Sequence, residues 1–404
     1  VLYYQDTGSI AFDYIGLTSL AGGLILVAFG IKSAFPLLHN WVQDAYPEAT
    51  VTGTVILSAF TTKLAIYALA RAFPGTDILI PIGGAMIVLP IIYVVLENDL
   101  RRVLAYSLNS QLGYMVIGVG IGTELALNGT AAHVFVHIMY KSLLFMCMGA
   151  VLFRTGTVKV TELGGLYKSM PVTTVFCLIG AVSIAAFPLT GGFVSKAMIQ
   201  SAALNGGLNI IWPVMLFACA GIMDHSGLKV PFFTFFSKDR GIRVQEAPVN
   251  MLIAMGIAAF FCIGIGVFPG LLFELLPYAP TYNPYSFGHI VSALQLLLFA
   301  VLAFMLLIRF KVYPSELRST NLDFDWFYRV PLKRLILAIG RLILIVWDWS
   351  LGIANHVLRY FIGIVNETHS SGKVMARTTA SSTAVVIIVA LLGVVLVFLY
   401  QFTP

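Results

Sequence analysis

Long apolar segments recur from the first part of the chain to the last, and each contains few charged residues. A helix needs about 20 predominantly apolar residues to cross the roughly 30 Å hydrocarbon core of a bilayer, and these segments reach that length. Only 10% of the 404 residues are charged and 59% are hydrophobic, whereas a soluble globular chain carries about 25% charged residues. The sequence therefore predicts an all-α, polytopic membrane protein.

The apolar segments predict about ten membrane-spanning helices. They lie near 13–33, 50–72, 78–96, 101–122, 126–152, 171–188, 192–222, 249–272, 288–309 and 383–402, and the seventh is long and interrupted. No signal peptide is recognised at the start of the chain. Because Val1 is not an initiator methionine, we expect that the coding sequence begins further upstream.

The basic residues outside the apolar segments are distributed unevenly. If each of the first nine segments crosses once, the loops after the odd-numbered segments and their helix ends contain nearly all of these cations, from Lys32 to Arg334. The opposite loops contain only Arg71. An excess of Lys and Arg is typical of cytoplasmic loops. The placement of the basic residues therefore predicts the orientation of the chain in the cell (plasma or inner) membrane, with the basic loops in the cytoplasm. The net charge of +6 is explained by these loops and does not indicate binding of nucleic acid.

The cysteines and glycines do not form a recognisable metal or nucleotide motif. Cys147, Cys177, Cys219 and Cys262 lie singly in apolar segments, without the spacing of a zinc, iron–sulfur or thiol redox site. No phosphate-binding glycine loop follows a predicted strand. The sequence predicts no metal and no cofactor on this chain, and it disfavours an ATP-driven pump.

Three lysines lie inside the apolar segments: Lys63, Lys141 and Lys196. A lysine at the centre of a bilayer costs about 2.5–3.5 kcal/mol on insertion scales, and such residues are candidates for function. The alternative is that each ammonium reaches the membrane surface from a helix end. Lys63 is roughly 20 Å and 14 Å from the two ends of its segment, which is too deep for that explanation.

Lys141 belongs to a run of ionisable residues with a spacing of four, His133, His137 and Lys141. This spacing places all three on one face of a helix. Histidine titrates near neutral pH, and burial disfavours the charged form of lysine, so the run is suited to passing protons through intervening water. The alternatives are structural polar packing and a zinc site, which the neighbouring cation and the lack of a glutamate motif disfavour.

Lys196 follows a predicted interruption at Pro188 and Gly191-Gly192. Broken helices line ion sites in transporters, although a lysine at a helix start is also able to reach the surface. All 18 Asp and Glu residues fall in predicted loops, at segment ends or in the C-terminal stretch. We therefore expect the anionic partner of the lysines upstream of the chain or on another polypeptide.

Four stretches resemble the proton-conducting antiporter-like subunits shared by complex I and Mrp antiporters. They are FTTKLAIYALARAF, ENDLRRVLAYSLNSQLGYMVIGVG, HVFVHIMYKSLLFMCMGAV and FPLTGGFVSKAMI, in the order found in that family. The resemblance places Lys63, His133, His137, Lys141 and Lys196 on the family's central ionisable axis. It implies helices arranged as inverted five-helix repeats, each with one broken helix.

By that template, residues 1–100 are the end of the first repeat and residues 101–272 are the complete second repeat. Lys63 and Lys196 are then expected in the two broken helices, and a glutamate-bearing fifth helix is expected upstream. Some relatives carry a Lys or His in the eighth helix, which here has none, so water, Tyr93 or Ser107 is expected to connect Lys63 with Lys141.

Two further stretches resemble the D subunit of Mrp antiporters, namely DHSGLKVPFFTFFSKDRGIRVQEAPVNM and NLDFDWFYR. His225 and Lys229, at a predicted membrane edge, are candidates for proton uptake, with a solvated basic loop as the alternative. The resemblance implies the proton-translocating subunit of a multisubunit Na+/H+ antiporter that moves H+ and Na+ with other membrane subunits. The alternatives are a proton-pumping subunit of a complex I-type dehydrogenase or membrane-bound hydrogenase, and a truncated, non-conducting scaffold.

The last part of the chain has a different pattern. Residues 273–330 are expected to contain one more crossing and a cytoplasmic loop, and 331–404 an amphipathic lateral helix and a final crossing. In the stretch 331–367, Arg334, Arg341 and Asp348 recur every seven residues on an otherwise apolar helix. We expect it to lie along the membrane surface or against neighbouring subunits, with a pair of tilted crossings as the alternative and SSGKVMARTTASS as a linker.

Overall fold

A computed structural model describes residues 2–279, 282–313, 323–371, 373 and 382–402. Within these ranges the regular structure is helical, apart from one isolated bridge between Asp99 and Lys159. The chain divides into two compact units, residues 1–325 and 326–404. The predicted all-α, polytopic architecture is confirmed, because eight of the described helices have the length and composition needed to cross a membrane.

The described part of the first unit contains eleven main helices. They are α1 (Leu20–Lys32), α2 (Asn40–Glu48), α3 (Val51–Ala72), α4 (Leu79–Leu96), α5 (Leu100–Ile121), α6 (Glu124–Thr155), α7 (Pro171–Ile184), α8 (Gly191–Asn205), α9 (Ile211–Phe236), α10 (Val249–Val267) and α11 (Phe287–Arg309). Shorter helical turns lie at Leu2–Thr7, Leu166–Lys168 and Gly270–Phe273.

Two breaks with the same sequence, Ala-Phe-Pro-Leu, separate α1 from α2 and α7 from α8. Ala34 and Leu37 have φ values of 62° and 70°, and Ala186 and Leu189 have φ values of 64° and 69°. Left-handed backbone is unfavourable for residues with a Cβ atom. Its occurrence at matching positions of both breaks therefore shows that the same backbone geometry ends two helices.

The hydrogen bonds at the two breaks also match. The Phe35 amide donates to the Gly30 carbonyl at 2.9 Å, and the Phe187 amide donates to the Val182 carbonyl at 3.0 Å. This bond, which spans the left-handed residue, is the one that closes a helix C-terminus in a Schellman motif. Because the proline that follows lacks an amide hydrogen, the chain cannot continue the same helix.

Two of the four π-helical segments in the described residues lie at matching places in the chain; the other two span Phe232–Phe236, at the end of α9, and Tyr328–Leu332. Of the matching pair, one spans Leu57–Thr61 in α3 and the other Met223–Lys229 in α9. Lys63 lies six positions after Leu57, and Lys229 lies six positions after Met223. The order of a broken helix, a helix with a π segment and an uninterrupted helix thus occurs twice, in α1–α4 and in α7–α10.

This order corrects the expected place of Lys63. The break in the first half lies at Ala34–Leu37, and Lys63 lies in α3, which continues through its π segment. Lys32 is expected in a loop or at a helix end beside one, and it is the last residue of α1, but this end lies directly before the break. The sequence interpretation failed because it took the end of α1 for the end of a complete crossing.

The predicted seventh crossing also has different bounds. The range 192–222 contains nearly all of α8, which is the second half of a broken helix, and the start of another helix, α9. Helix α9 extends to Phe236. Residues between Gly206 and Ile210 separate α8 from α9. The predicted alternation of sides is unaffected, because α7 and α8 replace one crossing and α9 replaces the next.

Helices α5 and α6 form the centre of the first unit. Every residue of α5 from Val103 to Gly120 is buried, and α6 packs against α3, α5, α7, α8 and α10. The approach of α4 to α5 depends on Gly83 and Gly113, since a Cβ atom on Gly113 would lie 2.8 Å from the Gly83 carbonyl oxygen. Such close packing of small residues is typical of membrane helix pairs.

The second unit contains two long helices, α12 (Lys333–His369) and α13 (Ser382–Phe402). Helix α12 is continuous over 37 residues, which corresponds to roughly 55 Å. The pair of tilted crossings is therefore wrong, and the predicted amphipathic helix is confirmed. Most of the predicted linker lies outside the described residues.

Candidate functional site

Lys63 is buried immediately after the π segment of α3, with 3% of its surface exposed. Its ammonium donates to the Ser58 carbonyl oxygen and, at 3.3 Å, to the Thr62 hydroxyl. Ser58 belongs to the π segment, and π segments are frequent at functional sites. The local helix geometry thus supplies a carbonyl acceptor to a charge that has no carboxylate partner among the described residues.

His133 lies at the centre of a buried hydrogen-bond network between α5, α6 and α8. Its Nε2 atom is 3.1 Å from Gln111 Oε1, which also accepts from the Tyr140 hydroxyl at 3.1 Å. Its Nδ1 atom is 2.9 Å from the Ser195 hydroxyl. Because Gln111 Oε1 only accepts, this arrangement requires the proton on Nε2, so Nδ1 of a neutral ring accepts from Ser195.

His137 and Lys141 follow His133 on the same face of α6, as the spacing predicted. Both are fully buried, and neither His137 nitrogen nor Lys141 Nζ has a hydrogen-bond partner among the described residues. The His137 ring lies 5.2 Å from that of Tyr140, and Lys141 Nζ lies 5.9 Å from the centre of the Phe145 ring. Buried polar groups require partners, so this part of the network needs water to satisfy it.

Lys196 lies in α8, one turn after the second break. Its ammonium donates to the carbonyl oxygen of Ile184, the last residue of α7, at 2.7 Å. It also lies 5.4 Å from the centre of the Tyr114 ring. A cation at a helix C-terminus is stabilised by the unpaired carbonyl groups and by the helix dipole, so the break provides a site for this charge.

A cavity of about 590 Å³ opens beside Lys196. It is lined mainly by α8, α9 and α11, and its polar members include Gln200, Ser201 and His289. His289 stacks on Phe193 at 4.7 Å between ring centres. The cavity therefore places several polar side chains near Lys196, in a space large enough for several water molecules.

The five predicted residues form one electrostatically connected group. The charges of Lys63 and Lys196 both act on Lys141, and all three lysine charges act on His137. His133 is subject to the charges of Lys63 and Lys196. Like charges repel more strongly in an apolar interior than in water, so a proton on one member disfavours protons on the others.

His225 and Lys229 were expected at a membrane edge, but both are fully buried in the π segment of α9. His225 Nδ1 lies 2.8 Å from the Ser226 hydroxyl, which donates to Ser107 at 2.6 Å. The charges of Lys141, Lys196 and Lys229 all act on His225. His225 is thus close to the predicted group rather than on a solvated loop.

Lys229 binds the end of another helix. Its ammonium donates to the carbonyl oxygens of Val94, Val95 and Glu97, at 3.1, 2.9 and 2.9 Å. These carbonyls lie at the C-terminus of α4, where the last carbonyl groups of a helix lack most of their partners within the helix; the Val94 carbonyl also accepts from the Glu97 amide at 3.4 Å. The contacts give Lys229 a structural role in joining α9 to α4.

The expectation that all acidic residues lie outside the membrane helices is wrong for Asp224. This residue lies inside α9, where it interacts with the charge of Lys229. It was missed because the predicted segment ended at residue 222. Tyr93 stacks on Tyr106, and Ser107 accepts from the Ser226 hydroxyl; that either residue connects Lys63 with Lys141 stays a prediction.

A second carboxylate, Asp323, is buried within the first unit. Its Oδ2 atom accepts from the Tyr106 hydroxyl at 2.9 Å and lies 3.3 Å from His39 Nε2. Burial alone raises the pKa of Asp323. The hydrogen bond and charge of His39, together with the hydrogen bond from the Tyr106 hydroxyl, outweigh the effect of burial and hold the pKa below its usual value. The sequence interpretation missed this contact because it joins residues far apart in the chain.

The described residues contain no cluster of three or more His, Cys, Asp and Glu side chains arranged to hold a metal ion. The ionisable groups of the site are mainly amines and imidazoles, with hydroxyl and amide partners. Such groups accept and release protons, and no reacting nucleophile with a positioned base is found in the described part of this network.

Residues 1–224 match the family described as NADH:quinone oxidoreductase/Mrp antiporter, TM. The L subunit of the F(420)H(2) dehydrogenase of Methanosarcina mazei is 34% identical over 259 residues, which cover 59% of this chain and 38% of the relative. The D subunit of the Na(+)/H(+) antiporter of Alkalihalophilus pseudofirmus is 32% identical over 268 residues, which cover 62% of this chain and 54% of the relative. The chain thus spans about half the length of these relatives or less.

Among solved structures, the Mrp complex from Dietzia sp. DQ12-45-1b contains a chain with the same fold. The TM-score is 0.63 at 22% sequence identity, and the match covers 76% of this chain and 66% of that chain. The family match extends over more than half of the sequence and contains Lys63, Lys141 and Lys196. This multi-pass membrane protein therefore belongs to the NADH:quinone oxidoreductase/Mrp antiporter transmembrane family.

Proposed function

We propose that the chain is the proton-translocating part of a multisubunit Na+/H+ antiporter. The observation that carries the proposal is the buried row of three lysines and two histidines in which Lys63 and Lys196 bind carbonyl oxygens, whereas Lys141 and His137 lack described partners. A purely structural polar cluster is normally satisfied by its own hydrogen bonds. A path for protons instead needs groups that exchange partners with water.

The arrangement of acceptors supports a stepwise movement of protons. The carbonyls beside Lys63 and Lys196 stabilise an ammonium group at each end of the row, and Lys141 has no such acceptor among the described residues. Because the three charges repel one another, a proton that arrives at Lys63 favours release from Lys141 toward Lys196. His133 and His137 lie on the same helix face and carry protons through water between these positions.

The likeness to the D subunit of a Na(+)/H(+) antiporter supports coupling to Na+ and assembly with other membrane subunits. The distribution of basic residues supports a position in the cell membrane with the basic loops in the cytoplasm. In this arrangement, Na+ moves through the assembly in exchange for the protons that follow the lysine row.

A second candidate is an antiporter-like subunit of a redox complex, either a complex I-type dehydrogenase or a membrane-bound hydrogenase. The 34% identity to a dehydrogenase subunit supports it. The same row of lysines then carries protons, and electron transfer in partner subunits drives them. In vesicles of the complete complex, proton movement that follows a Na+ gradient supports the antiporter, and proton movement that requires an added electron donor supports the redox complex.

The test is replacement of single lysines in the complete complex, reconstituted in membrane vesicles. Lys63→Ala and Lys141→Ala are expected to abolish proton-coupled exchange, measured with a pH-sensitive dye, while native gels show intact assembly. Lys159→Ala, which removes an exposed lysine outside the row, is the matched control. Unchanged exchange in both buried variants would show that the chain is a non-conducting scaffold.

A further inference from the structure

We propose that one polar face of α2 carries protons from the buried Asp323 carboxylate to Lys63. We call this face, with its end groups, the α2 track; its members are Asp323, His39, Gln43, Tyr46 and Thr62. The inference rests on the proposed function, since Lys63 begins the proposed lysine row. It adds a pathway that supplies this row and assigns a role to residues outside it.

The track begins at the contact between Asp323 and His39. Asp323 Oδ2 lies 3.3 Å from His39 Nε2, and the two side chains are only 4% and 3% exposed. The other ring nitrogen of His39, Nδ1, is buried and has no hydrogen-bond partner among the described residues. His39 therefore contacts the carboxylate with one nitrogen and presents a second exchangeable site on its other side.

Helix geometry aligns the next members with His39. His39 has αR backbone geometry directly before α2, so the helical spacing extends to it. Gln43 and Tyr46 follow at four and seven positions, which places the three side chains on one face. All three residues are buried, and neither amide atom of Gln43 has a hydrogen-bond partner in the described part of the chain.

An unpartnered amide in this position points to water rather than to packing. A buried amide without a hydrogen bond costs on the order of 1–3 kcal/mol, and a leucine of similar volume would avoid that cost. Gln43 both donates and accepts, so it is suited to holding water molecules between His39 and Tyr46. This feature distinguishes the track from an ordinary structural polar face.

The track ends at the first lysine of the row. The Tyr46 hydroxyl donates to the Leu57 carbonyl at 3.0 Å and interacts with the hydroxyls of Thr61 and Thr62. Thr62 accepts from Lys63 Nζ at 3.3 Å. A continuous set of hydroxyl groups therefore joins the last member of the α2 face to the ammonium of Lys63.

The groups around Asp323 come from several elements. Tyr93 of α4 and Tyr106 of α5 face it with their hydroxyls, and Asp325 acts on Tyr93. On the outer side of α2, Asp44 pairs with Arg102 at 3.9 Å. Lys32 lies over the ring of Trp41, at 5.3 Å from its centre. The two cations beside α2, Arg102 and Lys32, thus contact Asp44 and Trp41, which are not members of the α2 track.

Transfer along the track requires only the making and breaking of O–H and N–H bonds. Asp323 takes up a proton and passes it to His39, which forms an imidazolium with both nitrogens protonated. The imidazolium releases the other proton, from Nδ1, to water held by Gln43, and the Tyr46 and Thr62 hydroxyls relay it to a neutral Lys63. No electron changes place, so no oxidant or reductant is needed.

The decisive variant is Gln43→Leu in the complete complex in vesicles. Because the Gln43 amide has no protein partner among the described residues, its removal is expected to leave the thermal midpoint nearly unchanged, yet to slow proton-coupled exchange about tenfold or more. A structural role of Gln43 predicts the opposite combination, a lower midpoint with little effect on rate. Asp44→Asn, at the neighbouring position on the outer side of α2, is the matched control and is expected to keep the wild-type rate.

Asp323→Asn tests the start of the track with a different readout. It is expected to slow exchange and to shift its pH profile, because the group that takes up the proton is lost, and Asp323→Glu is expected to restore part of the rate. If Gln43→Leu and Asp323→Asn both retain the wild-type rate and pH profile while Lys63→Ala abolishes exchange, the α2 track is wrong and the lysine row stands. If Lys63→Ala also retains exchange, the proposed function itself fails.

Discussion

The ammonium nitrogen of Lys196 lies 2.7 Å from the carbonyl oxygen of Ile184, the residue at which α7 ends before the second break. The two residues lie on opposite sides of the break, so one hydrogen bond joins its two half-helices. The carbonyl is free because the chain turns at Ala186 in a left-handed conformation. The same feature that interrupts the helix thus stabilises the buried charge.

Replacing Lys196 by methionine, which has a similar length but no charge, is expected to reduce proton-coupled exchange about 100-fold or more. The reduction follows because the variant has no group to hold a proton at the break. Vesicle transport with a pH-sensitive dye measures the effect. Lys168→Met, which removes an exposed lysine bound to Asp239, is the control, and equal rates in the two variants would exclude Lys196 from the pathway.

Arg101 is expected to contribute to stability through the end of α2. Its guanidinium donates to the Thr54 hydroxyl and to the carbonyl oxygens of Tyr46, at 3.3 Å, and Ala49, at 2.7 Å. Arg101→Met removes the donor to the Ala49 carbonyl and to the Thr54 hydroxyl, whereas the Tyr46 carbonyl still accepts from the Thr54 hydroxyl at 2.8 Å. The variant is therefore expected to lower the free energy of unfolding by about 2 kcal/mol. Thermal unfolding in detergent measures the change.

The neighbouring arginine provides the comparison for this prediction. Arg102 pairs with Asp44 at 3.9 Å on a partly exposed surface, and such pairs contribute about 1 kcal/mol or less. Arg102→Met is therefore expected to shift the midpoint much less than Arg101→Met. A similar loss in both variants would contradict the assigned role of Arg101.

Glu246 is expected to stabilise the start of α7. Its carboxylate accepts from the Val172 amide at 2.8 Å, from the Thr173 amide at 3.4 Å and from the Thr173 hydroxyl at 2.6 Å. Loss of such a cap costs about 1 kcal/mol. Glu246→Ala should therefore speed hydrogen exchange at these two amides, and Glu246→Gln, which keeps one acceptor oxygen, should do so less. Unchanged exchange in the alanine variant would show that the cap contributes nothing.

Asp239 provides a pH-dependent contribution from the loop between α9 and α10. Hydrogen bonds from Arg243, Lys168 and the Gly241 amide hold the pKa of Asp239 well below its usual value. Because the folded-state pKa is depressed, the stabilisation is complete above the unfolded pKa, about 4, and is lost as the pH falls toward the folded pKa. The thermal midpoint of unfolding should therefore be higher in the wild type than in Asp239→Asn at pH 7, and this difference should shrink below about pH 4. A difference that stays constant with pH would contradict the role assigned to Asp239.

Gln111 is expected to control the proton on His133. Its Oε1 atom accepts from both His133 and Tyr140, so Gln111→Leu removes the acceptor of two buried donors. Tyr140→Phe removes only one donor and leaves the His133 contact in place. Exchange in vesicles should fall further in Gln111→Leu than in Tyr140→Phe, and the reverse order would show that Tyr140 is the more important partner.

Local spacing explains which parts of the site were predictable. The repeat of four places His133, His137 and Lys141 on one helix face whatever surrounds the helix. The depth of Lys63 followed in the same way from the length of its apolar segment. Both properties depend on neighbours in sequence, so no knowledge of the tertiary structure was required.

The errors arose where a local pattern has two interpretations. The Ala-Phe-Pro-Leu sequence occurs twice. The first copy lies between the polar residues Lys32 and His39, and this setting also fits the end of a membrane crossing. Recognition of the internal repeat would have located the first break. The predicted segment ends before α9 does, because the π segment Met223–Lys229 lacks the apolar pattern of a membrane helix. Its residues His225 and Lys229 are nevertheless buried.

The sequence by itself determined that the chain spans a membrane, which family it resembles and which helices carry ionisable groups, because length, composition and periodicity are properties of contiguous residues. Only the tertiary structure decided the environment of each group. Lys229 binds the end of α4, Lys196 binds the end of α7, and Lys141 lacks a described partner. The energy of a buried charge depends on the acceptors that surround it, and folding brings those acceptors from distant parts of the chain.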